Sequence, residues 1–170
     1  MADKNVVYRG AEAVLYKKDG VLVKDRIRKG YRIQQLDRKI RKQRTRHEDS
    51  LMERARRAGV DVPRIFSSSD TSIEMEFIEG RKVKDAFNGA GNRERGRISG
   101  LIGQALGRLH EANIVHGDFT TSNMILKGGK LYVIDMGLGK YSEKVEDKSC
   151  LLYTSPSPRD LSTSRMPSSA

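Results

Sequence analysis

Three oxygen-bearing side chains stand at a characteristic spacing in the second half of this chain of 170 residues. Asp118 follows His116-Gly117, Asn123 comes five residues later, and Asp135 lies twelve residues after that asparagine and begins a D-x-G sequence. Phosphoryl transfer needs a carboxylate that orients the attacking hydroxyl and accepts its proton, and oxygen ligands that hold magnesium on the nucleotide phosphates. The spacing predicts that Asp118, Asn123 and Asp135 supply these groups.

A lysine and a second carboxylate are needed upstream, because phosphotransferases hold the α- and β-phosphates with a strand lysine that a helix glutamate positions. Lys24 ends the apolar run Val21-Leu22-Val23, and Glu48 lies in the basic helix that follows. Glu53 is the alternative carboxylate, and either glutamate could instead form an i, i+4 contact with a neighbouring arginine. For His116 we favour a role in packing and orienting the loop over a role as general base.

The elements that position the lysine and the glutamate are predicted to be a small antiparallel sheet and one long helix. Residues 5–25 alternate as strands do, and Asp19-Gly20 supplies a tight hairpin turn. The chain from Tyr31 to Ala58 has helical apolar spacing without proline, and Gly59 ends it. Residues 64–68 and 72–78 complete a five-stranded sheet. The predicted inward positions of the first strands are Val7, Val14, Tyr16, Val21 and Val23.

The three oxygen-bearing residues are placed by a helix, a loop and a hairpin. Residues 93–113 carry an apolar stripe at helical spacing. The stripe consists of Ile98, Leu101, Ile102, Ala105, Leu106 and Leu109. Gly100, Gly103 and Gly107 lower helix propensity there, so we expect close packing against a neighbouring element to compensate. A polar loop over 116–123 and a hairpin around Gly128-Gly129 follow.

Composition excludes several classes of protein. No apolar run approaches the length of a membrane span, and the first ten residues lack the features of a secretory signal. We therefore expect a cytoplasmic protein without membrane association. The single cysteine, Cys150, and three scattered histidines argue against disulfide scaffolds and zinc modules.

The net charge of +11 is concentrated in residues 24–57, which hold fourteen basic and five acidic residues. Such density predicts a polyanionic partner such as nucleic acid, and a solvated helix face is the alternative.

Several short motifs together resemble the small atypical kinase subunit of the KEOPS complex, the PRPK-like family, over residues 5–148. The motifs are Gly10-Ala11-Glu12-Ala13, Lys24, Arg44-Thr45-Arg46-His47-Glu48, Ala58-Gly59-Val60, Met75 to Gly80, His116 to Asn123, Ile134-Asp135 and Glu146-Asp147-Lys148. The first of these lacks the G-x-G-x-x-G pattern of ordinary protein kinases. That absence also fits the family.

The resemblance implies an α+β, two-lobed protein-kinase-like fold that uses ATP and magnesium as a serine/threonine kinase or ATPase. Its N-lobe would be residues 1–78, a small antiparallel sheet with one long helix, and its abbreviated helical C-lobe would be residues 79–148. Carried over by position, Lys24 and Glu48 form the ion pair, Glu76, Phe77 and Ile78 the adenine hinge, and Gly10 part of the nucleotide-binding turn. Asp118 is then the catalytic base, and Asn123 and Asp135 are the metal ligands.

The implied partners are the threonylcarbamoyl-transferase subunit and other KEOPS subunits, and tRNA bound by a basic helix over 24–57. Residues 149–170 depart from the family, since serine and proline replace the expected amphipathic helices. We expect this segment to be a disordered tail on a truncated C-lobe. Two alternatives stay open from the residues. One is a small-molecule phosphotransferase of the aminoglycoside or choline kinase type, and the other is a non-catalytic module that binds tRNA or a protein partner.

Overall fold

The first half of the chain folds into a five-stranded antiparallel sheet with one long helix. The computed structural model describes residues 5–154. The strands are β1 (Asn5–Arg9), β2 (Ala13–Lys18), β3 (Val21–Arg26), β4 (Ile65–Ser68) and β5 (Ser72–Glu76), in the spatial order β1-β2-β3-β5-β4. Asp19 and Gly20 join β2 to β3 with φ angles of 50° and 80°, the left-handed pair that a two-residue hairpin requires. The predicted sheet and its turn are confirmed.

The inward positions are only partly as predicted. Val23 of β3 is buried, whereas Val7 of β1 is exposed. All five residues of this edge strand β1 are exposed, so none of the described elements covers either of its faces. The prediction for Val7 was therefore wrong.

The long helix α1 spans Gln34–Arg57 and buries Leu51, Met52 and Ala55. It ends at Gly59, whose φ of +79° allows Gly59 N–H to reach Arg56 O and Val60 N–H to reach Ala55 O. These two bonds form a Schellman cap. The prediction that Gly59 stops the helix is confirmed. The basic run of residues 24–57 is not helical throughout, because Lys24 to Arg26 belong to β3 and the helix begins ten residues after Lys24.

The second half of the chain is smaller in sheet and richer in helix. Its elements are β6 (Arg81–Lys82), α2 (Val83–Asn88), α3 (Asn92–Glu111), β7 (Ile114–Val115), a single 3₁₀ turn (Thr121–Asn123), β8 (Met124–Lys127), β9 (Lys130–Val133), β10 (Lys140–Tyr141) and α4 (Val145–Thr154). Strands β6, β8 and β9 form one sheet, and β10 pairs with β7. Together with the N-terminal sheet, this arrangement confirms the predicted α+β class with an abbreviated helical second lobe.

A hydrophobic core runs through both halves and fixes them against each other. It joins Met52 of α1 and Ile73 of β5 to Leu109 of α3 and Met124 of β8, all of them at most 2% exposed. The backbone also crosses between the halves, because Val133 N–H of β9 donates to Asp61 O at 2.9 Å. This bond attaches the hairpin β8–β9 to the segment that follows α1.

Helix α3 buries its apolar stripe only in part, because Ile98, Ala105 and Leu109 are buried while the other three members are partly exposed. The expected packing of α3 against its neighbours occurs through Ile98, Ala105 and Leu109 and not through the glycines. A Cβ atom added at Gly100, Gly103 or Gly107 would meet nothing within 4 Å among the described residues. These glycines lie on the face of α3 turned away from the core.

Helix α4 extends beyond the point where the family resemblance ends. A disordered tail is predicted from residue 149, whereas α4 continues to Thr154. The first proline of the segment is Pro156. Residues 149–154 therefore all have a backbone N–H, and none of them directly precedes a proline, so the helix can continue. Residues 155–170 lie outside the described residues. No helix among residues 5–154 is long and apolar enough to cross a membrane.

Candidate functional site

Lys24 lies at the centre of the candidate site. The residue belongs to β3, and its side chain is 11% exposed. Its Nζ atom donates to Glu48 Oε1 at 2.6 Å and to Asp135 Oδ1 at 2.7 Å. One ammonium group thus joins a carboxylate from the long helix to a carboxylate from the second half of the chain, although these residues are 24 and 111 positions away along the chain.

The buried carboxylate that pairs with this lysine belongs to Glu48, which is 1% exposed. Glu53 instead lies at the surface, 39% exposed, where it pairs with Arg56 at 2.8 Å and Arg57 at 3.4 Å. The hydrogen bond from Arg56, together with Arg57, lowers the pKa of the Glu53 carboxyl although burial opposes that shift. Of the two glutamates that the sequence left open, the structure places Glu48 against Lys24.

Arg26 also contacts Glu48, although Arg26 is not among the site residues predicted from the sequence. Its guanidinium donates to Glu48 Oε2 at 2.6 Å, so the two carboxylate oxygens receive one cation each. A signal was present in the sequence. Arg26 stands two positions after Lys24, and alternate residues of a strand share a face.

The loop that carries Asp118 is shaped by Gly117 and His116. Gly117 has a φ of +80°, and a Cβ atom there would lie 2.1 Å from Leu138 O, so no other residue fits without moving the backbone. His116 is fully buried; its Nε2 lies 3.2 Å from Ile134 O, and its Nδ1 accepts from Asp118 N–H at 3.3 Å.

Burial lowers the pKa of the His116 imidazole, and its hydrogen bonds and the charges of Asp135 and Asp118 offset only part of that effect. The ring is therefore neutral near pH 7, with Nε2 as the donor to Ile134 O. These contacts agree with the predicted packing role of His116.

Asp118 and Asn123 meet at the open side of this loop. The Asn123 amide nitrogen donates to Asp118 Oδ2 at 2.7 Å and to Asp118 O at 3.0 Å. Asn123 O in turn accepts from Ile134 N–H at 2.9 Å, which ties the 3₁₀ turn to the residue before Asp135. Since the amide hydrogens of Asn123 both point to Asp118, its side-chain oxygen is the atom that remains for a further ligand.

Asp135 occupies a left-handed backbone conformation, with a φ of +60°. Its side chain is 54% exposed, and its Oδ1 accepts from Gly137 N–H at 3.3 Å as well as from Lys24. Burial alone would raise the pKa of the Asp135 carboxyl, but the charge and hydrogen bond of Lys24 and the Gly137 N–H hold that pKa below its ordinary value. Asp135 is therefore ionised at neutral pH.

The oxygen donors of this cluster fit magnesium bound together with phosphates. Magnesium prefers octahedral oxygen coordination and usually takes one or two protein carboxylates, with waters and substrate phosphates as its other ligands. Asn123 and Asp135 supply two such donors. Within residues 5–154, no group of three or more His, Cys, Asp or Glu side chains is arranged to hold a metal ion. Two protein oxygens leave the other positions of an octahedral magnesium to waters and substrate phosphates.

The remaining predicted nucleotide-binding residues lie around β1–β2 and at the end of β5. Gly10 closes the β1–β2 turn through its N–H to Ala13 O at 3.0 Å, and Glu12 of this turn pairs with Arg44 of α1 at 2.6 Å. Glu76 ends β5, and Phe77 and Ile78 lead toward the second half of the chain. Ile78 is buried, and the ammonium group of Lys17 lies 4.3 Å from the centre of the Phe77 ring.

The chain is similar to known proteins over most of its length. The family model of the RIO domain, RIO1, matches residues 7–145. The KEOPS complex subunit Bud32 of Pyrococcus abyssi is 41% identical over 160 residues, which cover 87% of this chain and 73% of that protein. A probable serine/threonine-protein kinase BUD32 homolog of Archaeoglobus fulgidus is 41% identical over 140 residues, covering 82% of this chain and 68% of that protein.

Longer proteins and solved structures also match. A probable bifunctional tRNA threonylcarbamoyladenosine biosynthesis protein of Methanosarcina mazei is 40% identical over 86% of this chain, which spans 26% of that protein. The Rio2 kinase of Chaetomium thermophilum, solved as an ADP/Mg²⁺-phosphoaspartate complex, superposes with a TM-score of 0.67 at 15% identity. The match covers 92% of this chain and 60% of that one. At that identity the likeness shows the fold, and it confirms the predicted two-lobed kinase-like architecture.

Proposed function

The chain belongs to the RIO-domain family and to the Bud32 proteins, and on this premise we propose that it is the ATP- and magnesium-dependent kinase or ATPase subunit of a KEOPS complex. In this role it supports the formation of threonylcarbamoyladenosine in tRNA in the cytoplasm. The observation that carries the proposal is the position of Lys24, whose Nζ lies 2.6 Å from Glu48 and 2.7 Å from Asp135. This arrangement joins a phosphate-binding lysine to a metal-ligating aspartate.

We assign each residue of the site a role that agrees with its contacts. Glu48 fixes Lys24, and Lys24 binds the α- and β-phosphates of ATP as a point charge. Asn123 and Asp135 hold magnesium, which when bound offsets the negative charge of the phosphates. Gly10 and the segment from Glu76 to Ile78 bind the rest of the nucleotide, the latter as the hinge for adenine.

Asp118 is the catalytic base of the proposed reaction. Its carboxylate is exposed, and the amide of Asn123 orients it, so Oδ1 can accept the proton of an attacking hydroxyl or water. His116 does not compete for this role, because it is fully buried and both of its ring nitrogens have partners.

The proposed protein partners are the threonylcarbamoyl-transferase subunit and other KEOPS subunits, and the names of the relatives support them. Fewer basic side chains of residues 24–57 are available for the proposed tRNA contact than the sequence suggested. Most basic side chains of this run pair with carboxylates inside the chain. Those without a carboxylate partner among residues 5–154 are Arg28, Lys39, Arg46 and Arg54. Phosphate contacts of tRNA are assigned to these four.

Phosphate release from ATP tests the catalytic part of the proposal. It is measured with the chain alone, with the transferase subunit, and with that subunit and tRNA, each with and without magnesium. We expect magnesium-dependent release that Asp118→Asn abolishes and Asp70→Asn leaves unchanged, since Asp70 is bound to Lys42 and Arg38 away from the cluster.

Three outcomes would contradict the proposal. Magnesium-independent release would remove the metal role. Phosphorylation of choline or an aminoglycoside without the transferase subunit would identify a small-molecule phosphotransferase. Binding of tRNA without any nucleotide binding would identify a non-catalytic module.

A second experiment tests the tRNA contact. Binding of tRNA is measured over a range of salt concentrations for the double variant Lys39→Gln/Arg46→Gln and for the control Arg56→Gln/Arg57→Gln, whose arginines are paired with Glu53. If the two unpaired cations each contact a phosphate, the first variant lowers the salt dependence of log affinity by about 2, because each phosphate contact contributes about one unit. An equal change in both variants would contradict the assignment.

A further inference from the structure

Arg26 is a buried cation that the chemistry proposed for the cluster does not use. The residue is 7% exposed and lies on β3, two positions from Lys24 and on the same face of the strand. Its NH2 group donates to Glu48 Oε2 at 2.6 Å and to Arg44 O at 3.3 Å. Arg44 and Glu48 are four residues apart on α1, so Arg26 holds the helix at two points one turn apart.

The Arg26–Glu48 pair also lies against the turn that carries Asp135. A Cβ atom added at Gly137 would be 3.8 Å from Arg26 NH2 and 3.7 Å from Glu48 Oε2. The same Gly137 donates its N–H to Asp135 Oδ1. The pair therefore forms the surface on which the Asp135-Met136-Gly137 turn packs.

The charges of Glu48 and Asp135 are balanced only when Arg26 is counted with Lys24. Two cations, Lys24 and Arg26, face two carboxylates, Glu48 and Asp135. To bind a phosphate, the ammonium group of Lys24 has to interact with the phosphate oxygens and weaken its contacts with Glu48 and Asp135. Without Arg26, Lys24 would be the only countercharge of a carboxylate that is 1% exposed, and an unpaired buried charge is strongly unfavourable. Glu48 would then compete with the ligand for Lys24.

We infer that Arg26 is a positioning residue of the nucleotide site. It neutralises and fixes Glu48 from the side opposite Lys24, so that Lys24 can bind phosphates while α1 and the Asp135 turn stay in place. This inference rests on the proposed binding of ATP.

Titration of a fluorescent ATP analogue with magnesium tests the inference on the full chain. The variants are Arg26→Met, Arg26→Lys, Lys24→Met and the double variant Lys24→Met/Arg26→Met. The control is Arg56→Met, which removes an arginine from an exposed pair with Glu53. We expect Arg26→Met to weaken binding by about tenfold to a hundredfold, as loss of an outer hydrogen-bond partner typically does at a ligand-holding group. Arg26→Lys keeps the charge and should recover part of that loss, while the control binds as the parent chain does.

The double variant separates positioning from a general structural role. If Arg26 acts through Lys24, its replacement has little further effect on affinity once Lys24 is methionine, so the two losses are not additive. Additive losses, or parent-like binding by Arg26→Met, would overturn the inference. If Arg26→Met does not fold by circular dichroism, Arg26→Gln, which keeps a hydrogen-bond donor but removes the charge, takes its place: parent-like affinity overturns the inference and weakened affinity supports it. Failure of the unchanged chain to bind the analogue would instead count against the proposed function.

Discussion

Replacement of Glu48 by glutamine should destabilise this protein far more than the same replacement of Glu53. Glu48 is 1% exposed and accepts two charged hydrogen bonds of 2.6 Å, from Lys24 and Arg26. After the change Lys24 keeps Asp135 at 2.7 Å, but Arg26, whose side chain is 6% exposed, loses its only carboxylate among residues 5–154. Removing one partner of a buried pair costs about 3–5 kcal/mol, and glutamine, which keeps the shape and one acceptor, should lie near about 3 kcal/mol.

That cost converts into a measurable shift in thermal unfolding. For a domain of this size, 1 kcal/mol changes the melting temperature by about 2–4 °C, so Glu48→Gln should lower it by roughly 6–12 °C. Glu53→Gln should change it little, because exposed ion pairs contribute little to stability. Melting followed by circular dichroism, together with a titration of Mg-ATP, provides the measurement.

Comparison of Glu48→Gln with Glu53→Gln also shows which result would contradict the assignment of the ion pair. Equal shifts for the two glutamates, or unchanged Mg-ATP affinity in Glu48→Gln, would show that burial between two cations does not fix Lys24. The assignment of the ion pair would then be wrong.

Four other changes test the loop around Asp118, the proposed metal ligand Asp135 and the buried His116. Asp118→Ala should keep Mg-ATP binding but lower phosphate release by about 10²–10⁴-fold, the usual contribution of a general base. Asp135→Ala should abolish the magnesium dependence of ATP binding, and an unchanged magnesium dependence would contradict the role of Asp135. Gly117→Ala should lower the free energy of unfolding in urea by about 1–3 kcal/mol or more, because its φ is +80° and its Cβ would meet Leu138 O. Burial lowers the pKa of His116 in the folded state, so this histidine stabilises the fold above its unfolded pKa of about 6.5, and that stability is lost as the pH falls toward the folded value. The melting temperature of His116→Gln should therefore fall less between about pH 7 and pH 5 than that of the unchanged chain, and equal slopes would contradict the neutral, buried state.

Local sequence patterns predicted most of the helices and strands, while the roles of the oxygen-bearing residues stay predictions. Helix α1 and its end at Gly59 follow from apolar spacing and from a glycine that can adopt a positive φ. The contact of Asn123 with Asp118, and its backbone bond to Ile134 beside Asp135, follow from a short loop and hairpin, in which the spacing along the chain limits the separation in space.

Patterns failed where a position depends on what packs against it. Val7 alternates as an inward strand residue does, yet no described element covers β1. Gly100, Gly103 and Gly107 suggested a close neighbour and instead face open space among the described residues. Helix propensity and alternation specify which residues share a face, but not what lies opposite that face.

The sequence by itself determined which side chains are available for chemistry: a lysine on a strand, a glutamate on the following helix, and an H-x-D-x-x-x-x-N loop with a D-x-G turn. Only the tertiary structure decided which glutamate meets Lys24 and that Arg26 shares it. Glu48 and Glu53 are separated by five residues and therefore point about 140° apart around α1. The side of the helix that faces β3 is set by the burial of Leu51, Met52 and Ala55 against the core. Because that orientation depends on the whole core and not on local spacing, the identity of the buried carboxylate could not be read from the chain alone.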